Sequence, residues 1–205
     1  MSRLVRIHPV NPQPQALDQA VDLLRQGGIV IYPTDTLYGM GCAIDQVKAI
    51  EKIIAAKGLK SKTARFSFIC ASIAQVAEFA QISDGVFRLL KNNLPGPFTF
   101  ILFGLSKVPA YFLTKRKTVG VRIPDCSIPR KLVEGLGMPI LTTSLPCPDD
   151  EPAYIQYPDL MAERWGNLVD MVIDGGQGEL RPSTVVDCTQ DQLVIIRQGK
   201  GLLKQ

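Results

Sequence analysis

Short β-rich runs alternate with stretches of helical periodicity along the whole chain, and this alternation limits the fold more than any other feature. Leu4–Ile7, Ile29–Tyr32, Phe66–Cys70, Phe98–Phe103, Thr118–Ile123, Ile140–Thr143, Val169–Ile173, Thr184–Val186 and Leu193–Arg197 read as strands. Between them, helices are expected over Gln15–Gln26, Asp45–Ala56, Ser72–Phe79, Ser83–Asn92, Pro129–Leu136 and Leu160–Trp165. Gly27-Gly28 ends the first helix and Gly58 the second, Asp45 is a candidate N-cap, and Ser83 or Asp84 caps the fourth. Leu94-Pro95-Gly96-Pro97 stops that fourth helix, because proline cannot continue it. Neither a repeat nor a Ser/Gly linker divides the 205 residues, so the pattern predicts an α/β single domain built on a twisted, open, mixed sheet with flanking helices.

Composition narrows the function classes. With 46% hydrophobic and 20% charged residues, the chain is globular rather than disordered. Its longest apolar run, Phe98–Leu105, is too short to span a bilayer, and the opening residues lack a signal-peptide layout. The expected location is therefore the cytoplasm, with no membrane contact and a monomer or weak homodimer as the assembly. The five cysteines, Cys42, Cys70, Cys126, Cys147 and Cys188, form no C-x-x-C pair and are expected to be reduced, mostly buried thiols. The single histidine, His8, excludes a multi-histidine metal site. A Ser/His/Asp triad would have to use His8, which sits directly before Pro9; a surface or packing role is expected instead. No metal ligands and no catalytic nucleophile are assigned.

Charge is unevenly distributed around a net +4. Residues 149–191 hold ten acidic and two basic side chains, whereas two basic clusters lie in Lys48–Arg65 and Lys107–Lys131. If these clusters meet in space, they make a positive surface for phosphates or nucleic acid. Lys60, Lys62, Arg65, Lys115, Arg116 and Lys117 are the candidate RNA contacts, acting through backbone and shape.

The densest polar stretch, Pro33-Thr34-Asp35-Thr36-Leu37-Tyr38-Gly39, directly follows a buried strand, where ligands of open α/β sheets bind. It reads equally as a turn in which Asp35 caps the next segment. Thr118, Gly120 and Arg122 share one face of a strand, and an arginine in so apolar a run needs a carboxylate or a bound anion. Lys57 ends a helix, Thr142-Thr143-Ser144 ends a strand in hydroxyls, Ser183-Thr184 begins one, and Arg197 ends the last. Together these groups suit a polyphosphate or carboxylate ligand. Neither a P-loop nor a G-x-G-x-x-G fingerprint is present, and Gly175–Gly178 reads as a loop.

Tyr32–Gly39 (YPTDTLYG), Leu94–Thr99 (LPGPFT), Val121–Pro124 (VRIP), Ser183–Asp187 (STVVD) and Ile196–Gly199 (IRQG) follow the order and spacing of the YrdC-like family, which the chain resembles over residues 10–200. That resemblance implies a large, basic, concave cavity on the α/β sheet, a link to double-stranded RNA binding, and threonylcarbamoyl-AMP synthase activity on L-threonine, bicarbonate and ATP with magnesium. Carried over by motif, Thr34, Thr36, Arg122, Thr143, Ser144 and Ser183 match the threonine or carbamate pocket, and Lys57, Thr118 and Arg197 match nucleotide contacts. Two positions depart from the synthase pattern. Lys57-Gly58-Leu59 stands for Lys-x-Arg, and Ser144-Leu145-Pro146 for Ser-x-Asn, which resembles the YciO branch. Two functions follow: a synthase-like nucleotide enzyme of reduced or altered activity, or a non-catalytic RNA-binding or ribosome-related factor.

Overall fold

The structure is a computed structural model that describes residues 3–58, 66–109, 117–145, 152–190 and 192–204. In chain order, β1 (Arg3–Arg6), α1 (Pro14–Arg25), β2 (Val30–Tyr32), β3 (Gly39–Ala43), α2 (Val47–Ala56) and β4 (Ser67–Ile69) come first. Then follow α3 (Ile73–Phe79), α4 (Asp84–Asn93), β5 (Phe98–Phe103), β6 (Thr118–Arg122), α5 (Ser127–Leu136) and β7 (Ile140–Ser144). A 3-10 turn (Pro152–Gln156), α6 (Pro158–Trp165), β8 (Met171–Asp174), β9 (Thr184–Asp187) and β10 (Val194–Arg197) complete the chain. The strands form one ten-stranded sheet in the order β1-β8-β2-β3-β7-β4-β6-β5-β9-β10. Four of its pairings are parallel and five antiparallel, so the mixed sheet expected from the alternation is present.

Local chemistry sets the helix ends. Ser72 Oγ accepts from Gln75 N and Ser83 Oγ from Val86 N, the hydroxyl caps expected for α3 and α4. Gly137 closes α5 at φ 76°, a conformation that costs glycine nothing. Two expectations are corrected. Asp45 does not cap α2: Gln46 holds the N-cap position and makes no side-chain cap. Gly39–Ala43 is a strand that the sequence reading left unassigned; two of its five residues are glycine, which lowers β-propensity, and tertiary pairing on both sides overrides it.

Alternation divides the sheet into two faces. Ile31, Met40, Phe68, Phe100, Val121 and Leu141 pack on one, against Ile50 and Ile53 of α2, Leu90 of α4 and Met161 of α6. Val30, Tyr32, Ala43, Ile69, Ile140 and Met171 lie on the other, against Leu17, Val21 and Leu24 of α1 and Leu132, Val133 and Leu136 of α5. That second covering stops near the middle of the sheet. Register carries the same face onward through Ser67, Gly120, Arg122 and Ile101, where neither α1 nor α5 follows. The result is a polar, small-residue sheet surface beside an apolar core. Among the described residues no helix is long and apolar enough to cross a membrane.

The cysteines of the described residues are free; Cys42 and Cys70 are buried, Cys126 and Cys188 half-buried, and Cys147 lies outside the described residues. Burial raises the Cys42 and Cys70 thiols from 9.0 to about 12. A thiol that ionises later in the folded state leaves the native chain holding more protons above pH 9.0. Stability is therefore full below that pH and declines as pH rises toward 12. Thermal melting across this range is expected to show the decline, with a shallower slope in Cys42→Ala.

Candidate functional site

The polar motif after β2 is the connection of a β-hairpin, since Tyr32 pairs with Gly39 across it. Thr34 shapes this loop: its Oγ1 accepts from Thr36 N at 3.0 Å, donates to Leu37 O at 2.7 Å and lies 3.1 Å from Thr36 Oγ1. Thr34 therefore spends its hydroxyl inside the loop. Asp35 is neither a local cap nor a free carboxylate. Its Oδ1 accepts from Arg122 Nη2 at 3.2 Å and its Oδ2 from Asp125 N at 3.0 Å. Lys200 Nζ donates to Asp35 O and to Glu179 Oε1, both at 2.8 Å. Tyr38 ties the far side, donating from its hydroxyl to Gly176 O at 2.7 Å and accepting from Gly175 N at 3.1 Å. The Gly175–Gly178 loop is thus an anchor for the motif.

Arg122 ends β6 on the uncovered face. Its Nη2 also donates to Thr36 Oγ1 at 2.8 Å, and Thr36 is 1% exposed. Burial lowers the guanidinium pKa; Asp35 and then Tyr32 oppose that, while Arg197 adds to it. Two guanidiniums thus feel one another across this site. Arg122 Nε is buried and has no hydrogen-bond partner among the described residues. A charged donor left unpaired at such depth is costly, and the cost is removed when an acceptor arrives.

Ser183 lies just ahead of β9. Its carbonyl accepts from Arg197 Nε at 3.1 Å and Nη2 at 2.9 Å, and Nη2 also reaches Ser183 Oγ at 3.2 Å. Thr99 Oγ1 lies 2.8 Å from the same Ser183 Oγ. Gly120, on the same face, is required by close approach: a Cβ there would stand 2.8 Å from Ser67 Oγ and 3.3 Å from Thr99 Cγ2. Lys57, at the C-cap of α2, donates to Thr143 Oγ1 at 2.7 Å and Ser144 O at 2.8 Å, and burial lowers its pKa. Thr118 begins β6 on the Arg122 face.

The candidate residues therefore fall into three groups. Thr34, Thr36 and Arg122 share one network, Ser183 and Arg197 a second, and Lys57, Thr143 and Ser144 a third. Asp35, Tyr38, Thr99 and Lys200 were not selected as site residues, although the first three stand inside quoted motifs. Their signal was present, but their roles depend on partners 84 to 165 positions away.

Lys107 pairs with Glu78 at 2.7 Å and lies over the Phe79 ring, on the α3 side of the sheet, whereas Arg122 is buried beneath Asp35 on the other face. Lys117 is exposed before β6; Lys60, Lys62, Arg65, Lys115 and Arg116 lie outside the described residues, as do Leu59 and Pro146. His8 is exposed, and its Nδ1 accepts from Val10 N and Asn11 N in a turn.

A family model covering Sua5, YciO and YrdC proteins, described as telomere recombination, matches residues 22–199. The chain belongs to the Sua5/YciO/YrdC family. Within this family, Escherichia coli K12 YciO is 40% identical over 205 residues, covering 100% of this chain and 98% of that protein. A Haemophilus influenzae protein is 39% identical over 202 residues, covering 98% and 97%. The crystal structure of E. coli YciO matches with a TM-score of 0.91, over 98% of this chain and 97% of that one. P. abyssi Sua5, solved in complex with L-threonine, matches with a TM-score of 0.84 at 27% identity. This chain spans 97% of its own length in that match but 58% of Sua5.

The Asp35–Arg122 pair holds the family motif against the sheet with little solvent access, the side chains being 8% and 11% exposed. Removing the carboxylate strands a buried cation. Asp35→Ala is expected to cost about 3–5 kcal/mol of unfolding free energy, measured by denaturant titration.

Proposed function

We propose that the uncovered sheet face binds L-threonine and ATP and carries a threonylcarbamoyl-AMP-synthase-like reaction. The observation that carries this reading is the buried Arg122, held by Thr36 and Asp35, whose Nε–H has no acceptor among the described residues. Such a group calls for a carboxylate or phosphate oxygen. The L-threonine complex of the P. abyssi Sua5 relative supports the amino acid as one ligand of this face.

The reaction suits a site without a protein nucleophile. The threonine amine and bicarbonate give a carbamate with loss of water. A carbamate oxygen then attacks the α-phosphorus, the bond to the bridging oxygen breaks, and pyrophosphate leaves. Catalysis of this kind needs alignment and neutralised charge. Arg122 orients the amino acid, Arg197 stands beside Ser183 toward the phosphates, and Lys57 carries a third positive charge at the end of β7. Magnesium enters with ATP. There it would neutralise phosphate charge, held by phosphate oxygens and water.

The test is calorimetric titration of magnesium-ATP with and without L-threonine and bicarbonate, followed by pyrophosphate release. Binding that tightens with all three, together with release, is expected. Arg122→Lys keeps the charge but loses the planar fork; it is expected to weaken L-threonine binding by about 1.5–3 kcal/mol. Absence of nucleotide and threonine binding in the wild type would sink the reading.

A further inference from the structure

We propose that Thr99 is a ligand-binding residue of this site, the last member of a hydrogen-bond relay running from Arg197 through Ser183 to Thr99. The inference rests on the reading of the uncovered face as an L-threonine pocket, and it adds a residue that neither the motifs nor the relatives assign.

Proton bookkeeping leads to it. Arg197 Nη2 can only donate, so Ser183 Oγ accepts from it at 3.2 Å. A hydroxyl polarised by a cationic donor is a stronger donor in turn, and Thr99 Oγ1 lies within 2.8 Å. Either hydroxyl can donate across this contact, and the proposed relay has Ser183 give its proton to Thr99. No other side-chain hydrogen bond reaches Thr99 Oγ1 among the described residues, so in this relay the Thr99 proton has no acceptor among them. Thr99 is 7% exposed, too deep for bulk water to satisfy that proton freely.

Register then places this orphan donor beside another. Phe100 pairs with Val121 in the antiparallel β5–β6 ladder, so one further step sets Thr99 opposite Arg122. Arg122 Nε–H is also buried and without a partner. Two unsatisfied donors on adjacent strands, with no acceptor between them, select a group that only accepts. A carboxylate meets that condition, whereas a carboxamide presents its own N–H to one of the donors and is rejected.

Two measurements test this. Neutron diffraction from ligand-free, deuterated crystals is expected to place the Ser183 deuteron on the line to Thr99 and the Thr99 deuteron off it. A Thr99 deuteron directed at Ser183 would overturn the relay, whatever the site binds. Calorimetry of L-threonine against L-threoninamide is expected to show that Thr99→Val lowers the preference for the acid by about tenfold, with the melting temperature retained. Thr99→Ser is expected to restore it. A Thr99→Val preference equal to wild type would reduce Thr99 to packing and overturn the proposal. If wild-type protein binds neither compound, the threonine reading fails, and the deuteron positions alone decide the relay.

Discussion

Burying the Arg122 guanidinium is the electrostatic demand around which the functional half of this molecule is organised. Desolvation depresses its pKa, and the opposing carboxylate of Asp35 comes from a loop 87 residues away. That loop is in turn held by Asp125, by Lys200 and, through its own Tyr38, by Gly175 and Gly176. The hairpin loop, the β6 terminus, the glycine loop after β8 and the C-terminal tail are thereby fixed to one another. Such pairing is rarely the most stabilising choice for a buried position, since apolar residues of equal volume often do as well. What it adds here is position: Nη2 is fixed between Asp35 and Thr36, and Nε is left without a partner among the described residues.

That surface exists because two helices cover only part of one face. α1 and α5 pack over the β1, β8, β2, β3 and β7 end, where the inward residues are Val, Ile, Ala, Met and the Tyr32 ring. Beyond Ile69 the inward residues become Ser67, Gly120, Thr99 and Arg122, which offer a helix nothing apolar to bury. The opposite face shows no such break: Phe68, Val121 and Phe100 continue the core. Loss of hydrophobic character on one face alone leaves it without a helix while the sheet remains anchored from behind.

Much of this was legible in the residues. Strand and helix positions agree closely because their signals are local: hydroxyl caps at Ser72 and Ser83, glycines after α1 and α5, and β-branched or aromatic runs such as Phe98–Phe103. Gly39–Ala43 was missed because its strand character comes from neighbours on both sides, and Asp45 was misread because a capping residue is defined by where the first turn closes. Of the site, the need of Arg122 for an anionic partner was readable from an arginine in an apolar strand. That the partner is Asp35 was not, because their approach depends on how the hairpin folds over β6. Charge clustering in sequence does not by itself put side chains on one face of the sheet. Neighbours in sequence such as Lys107 and Arg122 lie on opposite faces of the sheet.

By itself the sequence determined the α/β class, the capped helices, the motif residues and their family, because each depends on interactions within a few positions or on motif order. The tertiary structure alone decided which hydroxyls are consumed and which remain available. Thr34 and Thr36 turn inward to hold the loop and Arg122, Ser183 is held by Arg197 and Thr99, and the Nε of Arg122 stays without a partner among the described residues. The physical reason is that a hydrogen-bonding group's availability is set by what else lies within about 3 Å of it. In a ten-stranded mixed sheet, those neighbours arrive from strands far apart in the chain.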